Sequence, residues 1–401
     1  MKQLLNILVL GNGARESALV WKLRQSPRVE RIYMAPRAIP GTITAPINPL
    51  DFEAVEAFVE AYDIDMVLPG HESAVVAGIA DALKESKVKV IAPDAACARL
   101  EGSKEFAKEF MSRHSIPTSR FMTVTPDWLE EGMNFLNSLQ PPYVLKADGL
   151  AHGEGVIICK TLEEAKSTLT SMLDGMFGEA SSTVIIEEFV DGRECSMFLA
   201  VDGEDYIFLP DAKDYKKIGE GNTGPNTAGM GAVSPVPFLT DAFRQEVERR
   251  IVRPTLKGLK EEGLDYRGFL FLGLMELEGE PVLIEYNARL GAPETEAVMP
   301  RISSDFVDIL EGIADRTLAL KRLEVNDLCS TAVVLSAKGY PAAVTIGDPI
   351  SGMASASEEC LVFPGALRFE PDGTAITDGG RVLTVTGLGS NHDDSLQRAM
   401  A

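Results

Sequence analysis

The chain has 401 residues, 45% hydrophobic and 24% charged, a soluble globular composition too long for one ordinary domain. A formal net charge of −22 argues against non-specific nucleic-acid binding, while a local cationic pocket could still hold a small anion. The five cysteines (Cys97, Cys159, Cys195, Cys329, Cys360) show no zinc-type spacing, so reduced thiols are expected; no apolar run is long enough for a membrane span.

Met1-Lys2-Gln3 leads straight into the apolar run Leu4–Leu10, which leaves no room for a signal peptide and points to a cytoplasmic protein. The run reads as a strand. Gly11-Asn12-Gly13-Ala14-Arg15-Glu16 follows, and then a helix with Leu19, Val20 and Leu23 on one face. Strands at Ile32–Met34, Asp65–Leu68 and Val88–Ile91 alternate with helices at Phe52–Ala61 and Val75–Leu83. This pattern predicts a parallel α/β domain over about residues 1–100. From Gly102 the texture becomes α+β. A helix is predicted over Lys104–Arg113, strands over Tyr143–Ala147 and Val156–Lys160 about a glycine-rich loop, a helix over Thr161–Met172, and a strand over Val184–Val190. Strands follow at Cys195–Val201 and Tyr206–Pro210. The glycine-, proline- and asparagine-rich stretch Ile218–Pro237 reads as a long functional loop. Ala242–Glu262 reads as a helix, Gly268–Glu276 and Pro281–Tyr286 as a hairpin, and the tail beyond Leu318 as β-rich. The expected divisions are 1–100, 101–325 with a lid subdomain near 121–188, and a β-rich 326–401.

Four segments carry candidate chemistry. The turn holding Gly11, Gly13 and Glu16 joins a strand to a helix N-terminus, a geometry that suits an anion; it equally suits a plain tight turn. Glutamate at 16, where a dinucleotide fingerprint needs glycine, argues against NAD. Lys146 leaves a strand just before the loop of Gly149, Gly153 and Gly155, so its ammonium and the loop backbone can meet nucleotide phosphates. Glu187-Glu188-Phe189-Val190 is a strand ending in acidic residues. It reads as a hinge for a purine edge, with Glu194 within reach of ribose hydroxyls, or as a solvated sheet edge. Glu285, Asn287 and Arg289 alternate at period two on one strand face. A carboxylate and an amide are hard oxygen ligands for Mg²⁺, and the guanidinium can neutralise an oxyanion or phosphate.

In this order the motifs resemble the ATP-grasp superfamily, and over nearly the whole length the chain is similar to the phosphoribosylamine–glycine ligase family. The residues that carry the resemblance are Leu100-Glu101-Gly102-Ser103-Lys104, Lys146–Ala151, Thr223-Gly224-Pro225-Asn226-Thr227, Gly229-Met230-Gly231, Gly273-Leu274-Met275 and Gly379-Gly380-Arg381-Val382-Leu383. The resemblance implies an N-terminal α/β domain, a central ATP-grasp domain with a lid, and a β-rich C-terminal domain. It implies ATP-driven joining of glycine to 5-phosphoribosylamine in purine biosynthesis, with Mg²⁺ or Mn²⁺, in a monomer or homodimer. It places Lys104 and Lys146 on ATP phosphates, Glu187, Glu188 and Val190 at adenine, Glu194 at ribose, and Glu285 and Asn287 on the metal. It places Asp214, Asn226, Thr227 and Arg289 among the substrates, Asp214 and Arg289 being the catalytic candidates. The chain departs from the family pattern at Ser17, His71, Glu154, Lys213, Tyr215 and Ala292, where the pattern carries His, Pro, Lys, Gln, His and Asp. These departures leave two further readings open: a ligase for another carboxylate or amine, and a nucleotide-binding protein without catalysis.

Overall fold

In the computed structural model, residues 4–149, 155–353 and 360–401 are described. The first sheet is parallel, in the order Ile43–Thr44, Val29–Ala35, Leu5–Leu10, Met66–Pro69, Lys89–Val90. Apart from Asn6, its central strand is apolar because both faces are covered. Ile7 and Val9 pack in one core with Leu19 and Leu23 of the helix Ala14–Leu23. Leu8 and Leu10 pack in the opposite core with Val55, Phe58 and Val59 of the helix Phe52–Ala61. The predicted helix Val75–Leu83 is two short ones, Glu72–Val76 and Ile79–Ala82. Gly78, at φ +94°, stops the first, a backbone conformation that glycine adopts without cost.

Next comes a small antiparallel sheet ordered Phe121–Val124, Val184–Glu188, Tyr143–Ala147, Val156–Cys159, backed by the helices Leu129–Asn137 and Leu162–Ser171. The central sheet runs Tyr206–Phe208, Arg193–Asp202, Arg267–Leu277, Glu280–Asn287. Side chains of Arg193–Asp202 alternate between two cores. Cys195, Met197, Leu199 and Val201 meet Phe106 and Phe110 of the helix Lys104–Arg113. Phe198 and Ala200 join the core that also holds Ile7 and Val9, so the first and central sheets share one apolar interior.

The stretch Ile218–Pro237 is mostly not a loop. Lys213–Gly219 and Thr223–Ser234 form an antiparallel hairpin that turns at Gly221 and Asn222, both at positive φ. The longer strand joins the C-terminal sheet by pairing with Cys329–Ser336, which pairs in turn with Arg381–Gly389 and then Cys360–Pro364. Gly231 permits the pairing, since a Cβ there would stand 2.8 Å from the Ala332 carbonyl oxygen. The strand lacks apolar alternation because residues 223–226 are exposed. The β-rich tail closes with a helix, His392–Met400, packed on Arg381–Gly389. Among the described residues no helix is long and apolar enough to cross a membrane.

Candidate active site

The site assembles around Glu285. Its strand, Glu280–Asn287, is paired with Arg267–Leu277 through a turn at Glu278 and Gly279, both at positive φ, the geometry that matches strand twist. The register shifts between Gly273 and Leu274 and brings Glu285 opposite Gly273. A Cβ at Gly273 would lie 2.9 Å from Glu285 Cγ, so the glycine makes room for the carboxylate stem. Burial alone would raise the Glu285 pKa. The fields of Lys216, Lys146, Lys104 and Arg289 outweigh it and hold the group below the usual carboxylate value. The three lysines come from three separate elements, and Arg289 follows the Glu285 strand itself. Asn287, half-buried and next on the same strand face, has no hydrogen-bond partner for its amide among the described residues. A half-buried ionised carboxylate beside an uncommitted amide oxygen is a donor set that suits Mg²⁺, which usually takes one or two protein oxygens and completes its shell with phosphates and water. No group of three or more His, Cys, Asp or Glu suited to a metal occurs among the described residues.

Lys146 is buried on its strand, its ammonium 2.8 Å from Glu187. Lys108 lies 2.8 Å from the other Glu187 oxygen, which also accepts 2.8 Å from Ser119 Oγ. Glu187 is therefore a counter-ion between two lysines, its side chain committed to them. Burial opposes its charge, but Lys146 and Lys108 prevail and hold its pKa at about 2. Lys108 is pushed down to about 8, chiefly by burial, with Glu187 opposing and Lys146 adding to the shift. The i, i+4 spacing of Lys104 and Lys108 was the sequence signal for a second inward lysine, and the sequence reading missed it.

Lys104 stands at the start of its helix, where Nζ donates to the Gly149 carbonyl at 3.3 Å. Burial lowers its pKa. Asp148 ties the lid strand to this helix, accepting from Ser103 Oγ at 3.1 Å and Glu105 N at 2.7 Å. Gly149 N donates to Ala180 O and the Gly155 carbonyl accepts from Ala147 N. Gly153 and Glu154 lie outside the described residues. Glu188 and Val190 are half-buried where the lid meets the central sheet, and Glu188 N donates to Arg120 O at 2.8 Å. Glu194 is ion-paired with Lys216, whose Nζ is also 3.7 Å from Asp214.

Asp214 is 5% exposed, and burial raises its pKa against the pull of Lys216. Glu294, also buried, is raised by burial and by Asp214. Glu294 thus feels the charge of a second buried carboxyl group, while Lys216 and Arg289 pull its pKa the other way. Arg289 is held by Glu72 at 3.1 Å and Glu101 at 2.9 Å, and burial works against a pKa that these carboxylates raise further. Glu101 accepts from Ala288 N at 2.7 Å as well, locking the strand exit. Lys216, Glu72, Glu101 and Glu294 were not among the sequence candidates; Glu72 and Glu101 meet Arg289 from far off in the chain, whereas Lys216 stands two residues from Asp214 and could have been found there.

Two substrate-side candidates differ from expectation. Glu16 folds its own carboxylate onto the glycine turn: Gly13 N donates to it at 2.7 Å and Arg15 Nε at 2.9 Å. A Cβ on Gly11 or Gly70 would overlap it, at 2.8 and 2.1 Å. The glycines therefore make space for an internal capping carboxylate, which takes the Gly13 N–H at the helix start. Asn226 is exposed in the hairpin, and Thr227 Oγ1 donates to Lys216 O and accepts from Gly229 N. Ser17 binds Pro364 O and Gly13 O, and His71 Nδ1 accepts from Ser73 N to start its helix. Lys213 lies over the exposed Tyr215 ring. Ala292 leaves a methyl where the family pattern has aspartate, and two residues on, Glu294 supplies a buried carboxyl.

Three family profiles match in order: the N domain of phosphoribosylglycinamide synthetase over residues 5–101, its ATP-grasp (A) domain over 102–295, and its C domain over 330–401. The phosphoribosylamine–glycine ligase of Pasteurella multocida is 41% identical over 99% of this chain and 94% of its own. That of Escherichia coli K12 is also 41% identical at the same coverage. The crystal structure of phosphoribosylamine–glycine ligase from Thermotoga maritima superposes with a TM-score of 0.84 at 32% identity, covering 99% of this chain and 95% of that one. The chain therefore belongs to the phosphoribosylglycinamide synthetase family of ATP-grasp ligases.

Proposed function

We propose that the protein joins glycine to 5-phosphoribosylamine, spending ATP and releasing ADP and phosphate, with glycinamide ribonucleotide as the product. The observation that carries this reading is the convergence of Lys104, Lys146, Lys216 and Arg289 on the Glu285 carboxylate, a set of cations that nucleotide phosphates can share with the carboxylates now pairing them. A glycine carboxylate oxygen attacks the γ-phosphorus of ATP, giving glycyl phosphate and ADP. The amine of 5-phosphoribosylamine then attacks the acyl carbon, the C–O bond to phosphate breaks, and the amine loses a proton. Lys104 and Lys146 neutralise phosphate charge, and Lys146 exchanges Glu187 for the nucleotide as it does so. Glu188 and Val190 border the adenine position, and Glu194 the ribose. Glu285 and Asn287 would hold a Mg²⁺ or Mn²⁺ ion, which when bound supplies charge neutralisation between phosphate oxygens. Arg289, fixed by Glu72 and Glu101, is aimed to stabilise charge on the transferring phosphoryl or acyl phosphate, and Asp214 faces the substrate amines. The test is phosphate release from purified protein with ATP, Mg²⁺ and a panel of carboxylates and amines. Turnover with glycine and 5-phosphoribosylamine is expected; turnover only with another pair, or none, would overturn the reading.

A further inference from the structure

The motif Gly379-Gly380-Arg381-Val382-Leu383 has no part in the chemistry above, yet it opens a strand that reaches directly into the substrate side. Arg381 Nη1 donates to Ala228 O at 2.7 Å, to Ala292 O at 2.8 Å and to Gly229 O at 3.4 Å. Ala228 and Gly229 belong to the hairpin strand that carries Asn226 and Thr227. Ala292 belongs to the turn between Arg289 and Glu294. One guanidinium nitrogen therefore joins two segments more than sixty residues apart in sequence (228 and 292), both of which border the Asp214–Glu294 pair.

The surroundings support the same assignment. Tyr340 OH accepts from Ala228 N at 3.2 Å, and Gly380 lets the ring lie there, because a Cβ on it would be 2.5 Å from Tyr340 Cδ2. Gly229, at φ +112°, sits so near Pro293 that a Cβ would be 2.5 Å from Cδ. From the same strand as Arg381, Thr384 Oγ1 donates to Glu296 Oε1 at 3.4 Å and Thr386 Oγ1 to Glu296 O at 3.2 Å. Both hold the helix Glu294–Val298, whose first residue is Glu294. The lysines expected on ATP phosphates are elsewhere, Lys104 at a helix start and Lys146 on the lid strand.

Resting on the substrate reading above, we infer that Arg381 is a positioning residue: it latches the Thr227–Gly229 strand to the Ala292–Glu294 turn and so sets the spacing of the substrate pocket, leaving the nucleotide site untouched. Carbonyl oxygens bonded to a charged donor lose more than neutral pairs do when the donor is removed, and a small misplacement of a reacting group costs rate steeply.

The experiment compares full-length wild type, Arg381→Met and Arg381→Lys in three measurements: glycine and ATP kinetics by phosphate release, ATP affinity by calorimetry, and amide hydrogen exchange. Arg381→Met is expected to lower kcat/KM for glycine by about 10- to 100-fold with ATP affinity unchanged, and Arg381→Lys to recover part of the loss. Exchange in residues 227–230 and 291–294 should quicken in Arg381→Met while the lid strand Val184–Glu188 keeps its protection. Equal losses toward glycine and ATP, wild-type glycine kinetics, or unchanged exchange in those two segments would overturn the inference. A wild type inactive with glycine would overturn the substrate reading instead, and the exchange arm would still decide the latch.

Discussion

Replacing Glu187 by glutamine removes the one carboxylate that both Lys108 and Lys146 touch. The wild-type carboxylate accepts a hydrogen bond from Ser119 Oγ at 2.8 Å and is ion-paired with both ammonium groups at 2.8 Å, in a setting almost closed to water. Two routes give the cost. Its pKa falls from 4.5 to about 2, and at about 1.4 kcal/mol per unit this corresponds to roughly 3 kcal/mol. Removing one partner of a buried ion pair independently costs about 3–5 kcal/mol. Glu187→Gln should therefore lose roughly 3 kcal/mol in urea unfolding at pH 7. The sign of the pH dependence follows from the depressed pKa. The stabilisation is fully present above the unfolded value near 4.5, so the gap between wild type and variant should close as pH falls from about 4.5 toward about 2. ATP should raise the melting temperature of the variant more than that of wild type, because its phosphates no longer compete with Glu187 for Lys146. A stability loss below about 1 kcal/mol, the scale of an exposed pair, would refute the reasoning, as would a gap that persists at low pH.

Other expectations are simpler to state. Lys146→Ala should raise the KM for ATP by about 10- to 100-fold, the loss of a charge-assisted contact, and an unchanged KM would remove Lys146 from the phosphate site. Glu285→Gln should weaken Mg²⁺ activation by about 10- to 100-fold, read from the Mg²⁺ concentration giving half-maximal rate; the same half-point in variant and wild type would contradict the metal assignment. Gly229→Ala combines a positive φ with overlap on Pro293, so it should destabilise by about 2–4 kcal/mol in thermal unfolding. A near-neutral result there would mean that the two segments are not in close contact in solution.

What the sequence disclosed followed from how local the signal was. The strand Glu280–Asn287 and its turn were legible because apolar alternation and a turn dipeptide sit within ten residues. The parallel first sheet was legible because short apolar strands alternate with helices along the chain. The hairpin Lys213–Ser234 was not: its strand lies open at residues 223–226, so glycine and asparagine replace the alternating apolar residues that mark a buried strand. Gly11 and Gly13 could have served an anion or an internal side chain, and only the position of the Glu16 carboxylate distinguishes the two. The Lys108–Glu187 pair spans 79 residues in sequence, and Arg289 meets Glu72 across 217. Pairings of that kind have no periodicity to betray them. The departures at Ser17 and His71 looked chemical in one dimension; in three, Ser17 bonds the Gly13 and Pro364 carbonyls and His71 accepts from Ser73 N at its own helix start.

The central claim is that the glycine carboxylate is phosphorylated by ATP and then transferred to an amine. Glycine carrying ¹⁸O in both carboxylate oxygens, turned over with ATP, Mg²⁺ and 5-phosphoribosylamine, tests it most directly by mass spectrometry of both products. Inorganic phosphate carrying one ¹⁸O per turnover, beside glycinamide ribonucleotide that keeps the other, is the predicted result. Unlabelled phosphate would contradict the account.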